Sequence, residues 1–407
     1  MMMLKKIMNK IAKHNWVTFM PLLILLSIIL IFSCLNVLNA IRKAYLGDKG
    51  KSSLSGMQLQ KETVALTWDN FLSKKWQPQA EQWFSEKMPT RSAMIRFNNQ
   101  IYYDFFDKSY MAQGNLLIGK NKYLYEEVYV RRYCNPYNDI YTDEMVEQWA
   151  DNIQRIADFF KKNGKEFIYI ITPSKAGHFP EYLPGYYLCD SPQKRPNYLA
   201  AVTALKKRNV VFIDSSELLL SQKESYPFLL FPEGGTHWTS LGAALTLQEI
   251  LKKIRGKDAV LSTPLHITYT TDNKPEGTDR DLLSLANLIT SRKEYIVPVL
   301  TMKKEYDTHR QPSKRLAIVG DSFSLNIMDI LGEQNLFKQV DFYYYYQIMY
   351  YRLINGHKET IQNPEQQPEL YQGLWAADIV FLFENEQALA SDIKYTEYLL
   401  KAIEDKS

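Results

Sequence analysis

Short apolar runs that recur between helical stretches constrain this chain more than any other feature. Residues 167–171 (FIYII), 210–213 (VVFI), 316–319 (LAIV) and 378–383 (DIVFLF) are apolar at nearly every position. A strand with one wet face alternates in polarity, whereas a run apolar throughout is covered on both faces. Between the runs lie stretches with helical spacing. Met145, Trp149, Ile153, Ile156 and Phe160 recur at intervals of three and four, and Asn163-Gly164 is a suitable stop. Residues 197–207 and 241–254 read as further helices, with a last one near 389–403. This alternation predicts an α/β domain, a parallel sheet with helices on both faces. Ligands in such sheets sit beyond the carboxyl ends of the strands, so the residues just after each run are where chemistry is expected.

The N-terminus carries a different signal. Residues 17–40 hold no charged side chain over 24 positions, long enough to span a bilayer at about 1.5 Å per residue. We read them as one uncleaved transmembrane helix. A cleaved signal peptide would have a shorter apolar stretch ending in small residues. A lipoprotein reading of Ser33-Cys34 has the bulky Phe32 against it. Lys5, Lys6, Lys10 and Lys13 precede the run, and Arg42, Lys43, Lys49 and Lys51 follow it, so the charge rule does not orient it. The short tail, residues 1–16, is expected in the cytoplasm. The rest of the chain then lies outside a cytoplasmic (inner) membrane, in a periplasm or at a cell surface. Residues 41–80, with Gly and Ser clustered at Gly47, Gly50, Ser52, Ser53, Ser55 and Gly56, read as a stalk, and the organised domain as residues 81–407. The lipid bilayer is therefore the first expected partner.

The formal net charge of +4 is small for 407 residues, and no Lys/Arg block interrupts the mixed charges. Nucleic acid is not an expected partner. No Cys or His pair has metal-ligand spacing, so neither a metal nor a cofactor is expected. Cys134 and Cys189 are the two cysteines outside the apolar segment; an exported domain could bridge them, but two cysteines form no diagnostic framework. Residues 343–346 (YYYY) could stack on sugar rings, although a strand with one tyrosine face buried accounts for them equally simply.

Three local sequences stand at predicted strand ends. Gly320-Asp321-Ser322-Phe323-Ser324 follows the 316–319 run. A glycine there permits a tight turn, which would set Ser322 at the mouth of the sheet near backbone N–H groups able to stabilise an oxyanion. A turn capped by Asp and Ser is the plainer reading. Gly234-Gly235-Thr236-His237-Trp238 leads into the 241–254 helix. A neutral imidazole is the usual base for a serine nucleophile, and only His237 of the six histidines has this Gly-rich, helix-entry context. His266, His309 and His357 lie in polar stretches and read as surface residues. Glu384-Asn385-Glu386 follows the last run; it supplies either a polar wall with an oxyanion donor at Asn385 or a solvated loop.

Taken in order, these pieces resemble the AlgJ/AlgX-like alginate O-acetyltransferase family, SGNH hydrolase-like acyltransferases of exopolysaccharide acetylation. The resemblance runs over roughly residues 82–390. It includes Arg91, the 117–125 stretch (LIGKNKYLY), Thr172-Pro173-Ser174-Lys175, Pro180-Glu181, the Thr236-His237-Trp238 motif and the Gly320–Ser324 turn. His237 precedes Ser322, whereas common GDS-type esterases place the serine first. The resemblance implies an SGNH-like sheet and transfer of acetyl to hydroxyls of an extracytoplasmic polysaccharide. It also implies a membrane-bound O-acyltransferase as the acetyl donor. Ser322 would carry the acetyl group and His237 would act as base. Lys175, Arg91, His178, Asn385 and Trp238 would lie near the cleft, with no firm role. The family places an acidic residue two positions before the histidine, and here that position is Gly235. Asp321, Asp214 and Glu233 are the replacements the sequence offers. Two other functions stay open: a carbohydrate acetyl esterase using the same pair, and a non-catalytic polysaccharide-binding or assembly subunit with a degenerate triad.

Overall fold

The computed structural model describes residues 65–81, 91–109, 116–135, 140–187, 194–254, 264–290, 294–303, 312–354, 357–390 and 395–406, with isolated positions in 20–34, 54–55, 189 and 260–261. The chain forms two compact units. One is Met1–Ile101 with Asn287–Thr290; the other is Tyr102–Ala286 with Ser291–Ser407. In the first unit, the Asn287 amide accepts from the Ser55 backbone N–H at 2.8 Å and donates to its carbonyl at 3.1 Å. The Arg96 guanidinium donates to the Leu288 carbonyl at 3.2 Å.

The second unit is built on a seven-stranded sheet. In chain order its strands and those of two small ribbons are β1 (Leu116–Ile118), β2 (Leu124–Glu126), β3 (Glu166–Thr172), β4 (Phe212–Asp214), β5 (His266–Asp272), β6 (Val297–Lys303), β7 (Arg315–Gly320), β8 (Gln339–Tyr344), β9 (Met349–Ile354), β10 (His357–Gln362) and β11 (Ile379–Asn385). The helices used below are α1 (Glu127–Cys134), α2 (Asp143–Lys162), α3 (Lys175–His178), α4 (Pro196–Lys206), α5 (Ser215–Ser221), α6 (Ser240–Ile254), α7 (Asp281–Leu285), α8 (Ser324–Gln334), α9 (Gln372–Ala376) and α10 (Tyr395–Glu404). The large sheet has the order β10-β9-β8-β7-β11-β3-β4, while β1-β2 and β5-β6 are separate antiparallel pairs.

The four apolar runs all contribute to this sheet, and its central strands are buried on both sides. Ile168, Ile170, Leu316, Ile318, Phe381 and Phe383 face one core, with α1, α6 and α8. Phe167, Tyr169, Ile171, Ala317, Val319, Val380 and Leu382 face the other, with α2, α4, α9 and α10. Alternate residues of a strand point to opposite faces, so strands buried on both sides must be apolar throughout. α2 begins at the N-cap Thr142, whose hydroxyl accepts from the Met145 N–H. It stops at Asn163 and Gly164, the latter at φ 70°, as the sequence suggests.

The expectation of an all-parallel sheet needs correction. β8, β7, β11, β3 and β4 run parallel, but β9 is antiparallel to β8 and β10 is antiparallel to β9. Only four residues separate β8 from β9, and so short a return can only reverse the chain. The tyrosine run is divided by that turn. Tyr343 is buried in β8, whereas Tyr345 and Tyr346 take φ 44° and 66°, a region bulky side chains rarely enter. Two boundaries also move: the 210–213 run pairs only from Phe212, and the last helix starts at Tyr395.

The expected transmembrane helix falls mostly outside the described residues. Among the described residues no helix is long and apolar enough to cross a membrane, and most of residues 17–40, with the tail and much of the stalk, lies outside them. Cys134, the last residue of α1, is joined to Cys189 by a disulfide that spans 55 residues of chain. Closing a loop of that length stabilises a fold by about 4 kcal/mol in the chain-entropy account.

Candidate active site

β7 ends at Gly320, and a tight turn follows. A Cβ at Gly320 would lie 2.4 Å from the Ser324 hydroxyl and 2.9 Å from the Phe383 Cβ, so only glycine fits between the turn and β11. The Asp321 carboxylate accepts from the Phe323 N–H at 3.0 Å and from the backbone of Asn385. The Ser324 N–H bonds the Asp321 carbonyl and the Leu325 N–H bonds the Ser322 carbonyl, which starts α8. Ser322 is left half-buried at the apex, close to the side chains of Tyr344, the last residue of β8, and of Tyr345 after it.

His237 enters from the turn before α6. Its ring packs on Phe323, centroids 4.9 Å apart, and the neighbouring Trp238 donates its indole N–H to the Phe323 carbonyl at 3.1 Å. Asn326 of α8 donates to the Trp238 carbonyl at 2.9 Å. The histidine segment and the serine turn are thus fastened through the residue that follows Ser322. His237 Nδ1 lies 2.6 Å from Oδ2 of Asp281. Its Nε2 is buried with no hydrogen-bond partner among the described residues.

Asp281, the first residue of α7, is the carboxylate that the sequence left unidentified. Its Oδ1 accepts from the Thr236 N–H at 2.9 Å and from the Leu282 N–H at 2.6 Å. The Leu283 N–H donates to the Gly234 carbonyl at 2.9 Å. The 234–237 segment therefore lies zipped against 278–283. At Gly235 a Cβ would come 2.3 Å from the Thr278 carbonyl oxygen and 2.8 Å from Pro232. Gly235 is thus the point where the chain that carries the acid crosses, and no side chain fits there. Neither ring nitrogen of His237 bonds to the three replacements read from the sequence. Asp321 holds the serine turn. Asp214 caps α5 and accepts from the Tyr198 hydroxyl at 2.8 Å. Glu233 contributes its backbone carbonyl to Lys175 and to the Leu124 N–H.

The weaker expectations are redistributed. The Lys175 ammonium is buried and donates to three carbonyls, those of Leu124, Glu233 and Gly235, at 2.7–2.9 Å. It fastens β2 to the histidine loop. Burial pushes it down to about 7 against the pull of Asp281 and Glu233. Asn385 donates to the Pro173 carbonyl at 2.8 Å and accepts from the Gln387 N–H, so its amide is committed to the loop. Trp238 is wholly buried. Arg91 opens the helix Arg91–Phe106 and belongs to the first unit. His178 is buried against Phe179 and Phe231. Residues 384–386 are not a solvated loop: Glu384 and Asn385 end β11, Glu384 accepts from Trp149, Tyr169 and Thr396, and Glu386 accepts from Ser174, Ser216 and Arg195. His266 and His357 are exposed, and His309 lies outside the described residues. Among the described residues no group of three or more His, Cys, Asp or Glu is disposed to hold a metal ion.

Burial pushes the Asp321 carboxyl up to about 7, although the Phe323 N–H and His237 favour its charged form. The unfolded value is about 3.9, so between the two pH values the native state holds a proton that the unfolded chain has lost. The stabilisation this proton brings is full below pH ~4 and is lost as pH rises through 7. Asp321→Asn removes the titration and keeps an oxygen for both amides. Chemical denaturation at pH 4.5 and pH 8 is expected to show the variant gaining on the wild type at pH 8, by on the order of 3 kcal/mol. An unchanged difference between the two pH values would remove this account.

Residues 116–335, more than half of the chain, match the ALGX family, described as an SGNH hydrolase-like domain, acetyltransferase AlgX. A search of curated protein sequences gives no match. Among solved structures, the chain is similar to the O-acetyltransferase domain of Pseudomonas putida AlgJ (18% identity, TM-score 0.45), over 71% of this chain and 100% of that one. It is similar to Pseudomonas aeruginosa AlgX (15% identity, TM-score 0.46) over 71% and 67%. It is also similar to Bacillus cereus PatB1 (15% identity, TM-score 0.43) over 69% and 99%. With its family match spanning the described turn of Ser322 and the bonded pair His237–Asp281, the chain belongs to the SGNH hydrolase-like acetyltransferases of the AlgX family.

Proposed function

We propose that this protein is a membrane-anchored O-acetyltransferase that moves acetyl to hydroxyls of an extracytoplasmic polysaccharide through an acetyl-enzyme on Ser322. One observation carries the reading: Asp281 occupies Nδ1 of His237 and leaves Nε2 buried and unbonded beside the serine turn. An Asp on Nδ1 holds the proton there and keeps the Nε2 lone pair available as a base. In the first half-reaction Ser322 Oγ attacks the acetyl carbonyl while His237 takes its proton. The leaving group departs with that proton. In the second, the acceptor hydroxyl loses its proton to His237 and attacks the same carbonyl. The C–O bond to Ser322 then breaks and the proton returns to Oγ. Tyr344 and Tyr345, in contact with Ser322, supply donors for the tetrahedral oxyanion.

The absent acid at Gly235 was the reason to consider a non-catalytic subunit, and the bond to Asp281 removes that reason. The charge-free run 17–40 supports anchoring in a cytoplasmic membrane, and the Cys134–Cys189 disulfide suits an oxidising compartment outside it. A membrane-bound O-acyltransferase is the proposed acetyl source. Incubation with a chromogenic acetyl ester is expected to add one acetyl group by intact mass. Ser322→Ala abolishes the adduct, and His237→Ala slows its formation by at least about 10³-fold. An adduct that persists in Ser322→Ala sinks the mechanism. An adduct that passes only to water identifies an esterase.

A further inference from the structure

Ser322, His237 and Asp281 account for acyl transfer but not for the choice of a sugar over water. One carboxylate beside them is unassigned. Glu126 ends β2, and β2 is held to the histidine loop by the Leu124 N–H on the Glu233 carbonyl at 2.9 Å and by Lys175. Glu126 is also the N-cap residue of α1, yet its side chain makes no capping bond. It lies instead close to Thr236 and within electrostatic reach of His237, Asp281, Tyr129 and Tyr345. Burial raises its carboxyl; Thr236 and His237 lower it. It is nevertheless only half-buried, as are Ser322, Tyr129, Tyr344 and Tyr345.

Two other carboxylates near the site are committed. Asp281 uses both oxygens on His237 and two amides, and Asp321 is buried in the serine turn. Glu126 keeps lone pairs beyond its contact with Thr236. A carboxylate with free acceptor positions next to a catalytic base binds a donor hydroxyl, and water at the acyl group offers no second hydroxyl held at fixed spacing.

We propose, resting on the acetyl-enzyme reading above, that Glu126 is an acceptor-binding residue. It accepts a hydrogen bond from the hydroxyl vicinal to the one being acetylated and so selects ring diols over simple alcohols and water. The reacting hydroxyl then gives its proton to His237 and forms the new ester bond as the Ser322 Oγ–acetyl bond breaks; Glu126 exchanges no proton.

The test uses the full chain in detergent, acetylated on Ser322 by a chromogenic acetyl ester. Product ratios are measured with equal concentrations of trans-1,2-cyclohexanediol and cyclohexanol. Wild type is expected to favour the diol by about tenfold, the worth of one hydrogen bond to a charged group. Glu126→Gln is expected to lose most of that preference, and Glu126→Asp to keep part of it. An equal yield of both esters from wild type or an undiminished diol preference in Glu126→Gln overturns the proposal. Failure to form any acetyl-enzyme, or its transfer to neither alcohol, overturns the underlying reading instead.

Discussion

Asp281→Asn is expected to lower the rate of acetyl transfer by about 10³- to 10⁴-fold with little change in thermal stability. The reason lies in where the two oxygens of Asp281 go. Oδ1 accepts from two backbone amides, Thr236 and Leu282, and Oδ2 faces His237 Nδ1. An asparagine keeps its oxygen on the amides and turns its NH₂ to the imidazole. Nδ1 must then accept, which places the ring proton on Nε2, where a base is needed. Initial rates of acetyl-ester turnover, with a melt to verify folding, check this. A variant within tenfold of wild type would show that Asp281 does not set the tautomer. Gly235→Asp, which places an acid at the family's usual position, is not expected to rescue Asp281→Asn. Its Cβ would overlap the Thr278 carbonyl, and the zipped segments would separate.

The second large effect concerns stability. Lys175→Met is expected to cost about 3–5 kcal/mol in chemical denaturation. The change keeps the length of the side chain and removes a buried ammonium whose three N–H groups meet three carbonyls. Those carbonyls belong to β2 and to both sides of the glycine pair before His237, and each would be left without this donor in a site closed to water. A loss below about 1 kcal/mol would mean that the loop satisfies these oxygens another way.

Much of this arrangement is legible in the sequence, for stated reasons. Both-face burial forces the three central runs to be apolar throughout, and the chemistry of a parallel sheet gathers at its strand ends, so Ser322 stands out; His237 follows no strand and is marked instead by the glycines at the entry to α6. The reversal after Tyr344 is hidden because the turn, residues 345–348, carries no Gly, Asn or Asp. Asp281 was hidden for a different reason. It is 44 residues from His237 in sequence, in a polar stretch without periodicity, and its partnership depends on tertiary contact alone. Gly235 is the local trace of that contact: a position that accepts no Cβ because another backbone lies against it. Of the two alternatives for residues 384–386, the solvated loop fails although acidic residues are usually wet. Here each carboxylate is met by hydroxyl, indole or guanidinium donors contributed by α2, α5, α10, β3 and the chain before α3 and α4.

The origin of the acid has a consequence for how activity is lost. When histidine and acid share one short loop, they move together. Here they come from separate segments, held by the Leu283–Gly234 and Thr236–Asp281 bonds. The chain leading to Asp281 passes through β5, much of whose surface is exposed. Segments of this kind open at lower free energy than the cores on either side of the sheet. Warming would release the acid from the base while the seven strands remain assembled. Inactivation would then precede melting, and the enzyme would recover on cooling because nothing but one closure had been undone.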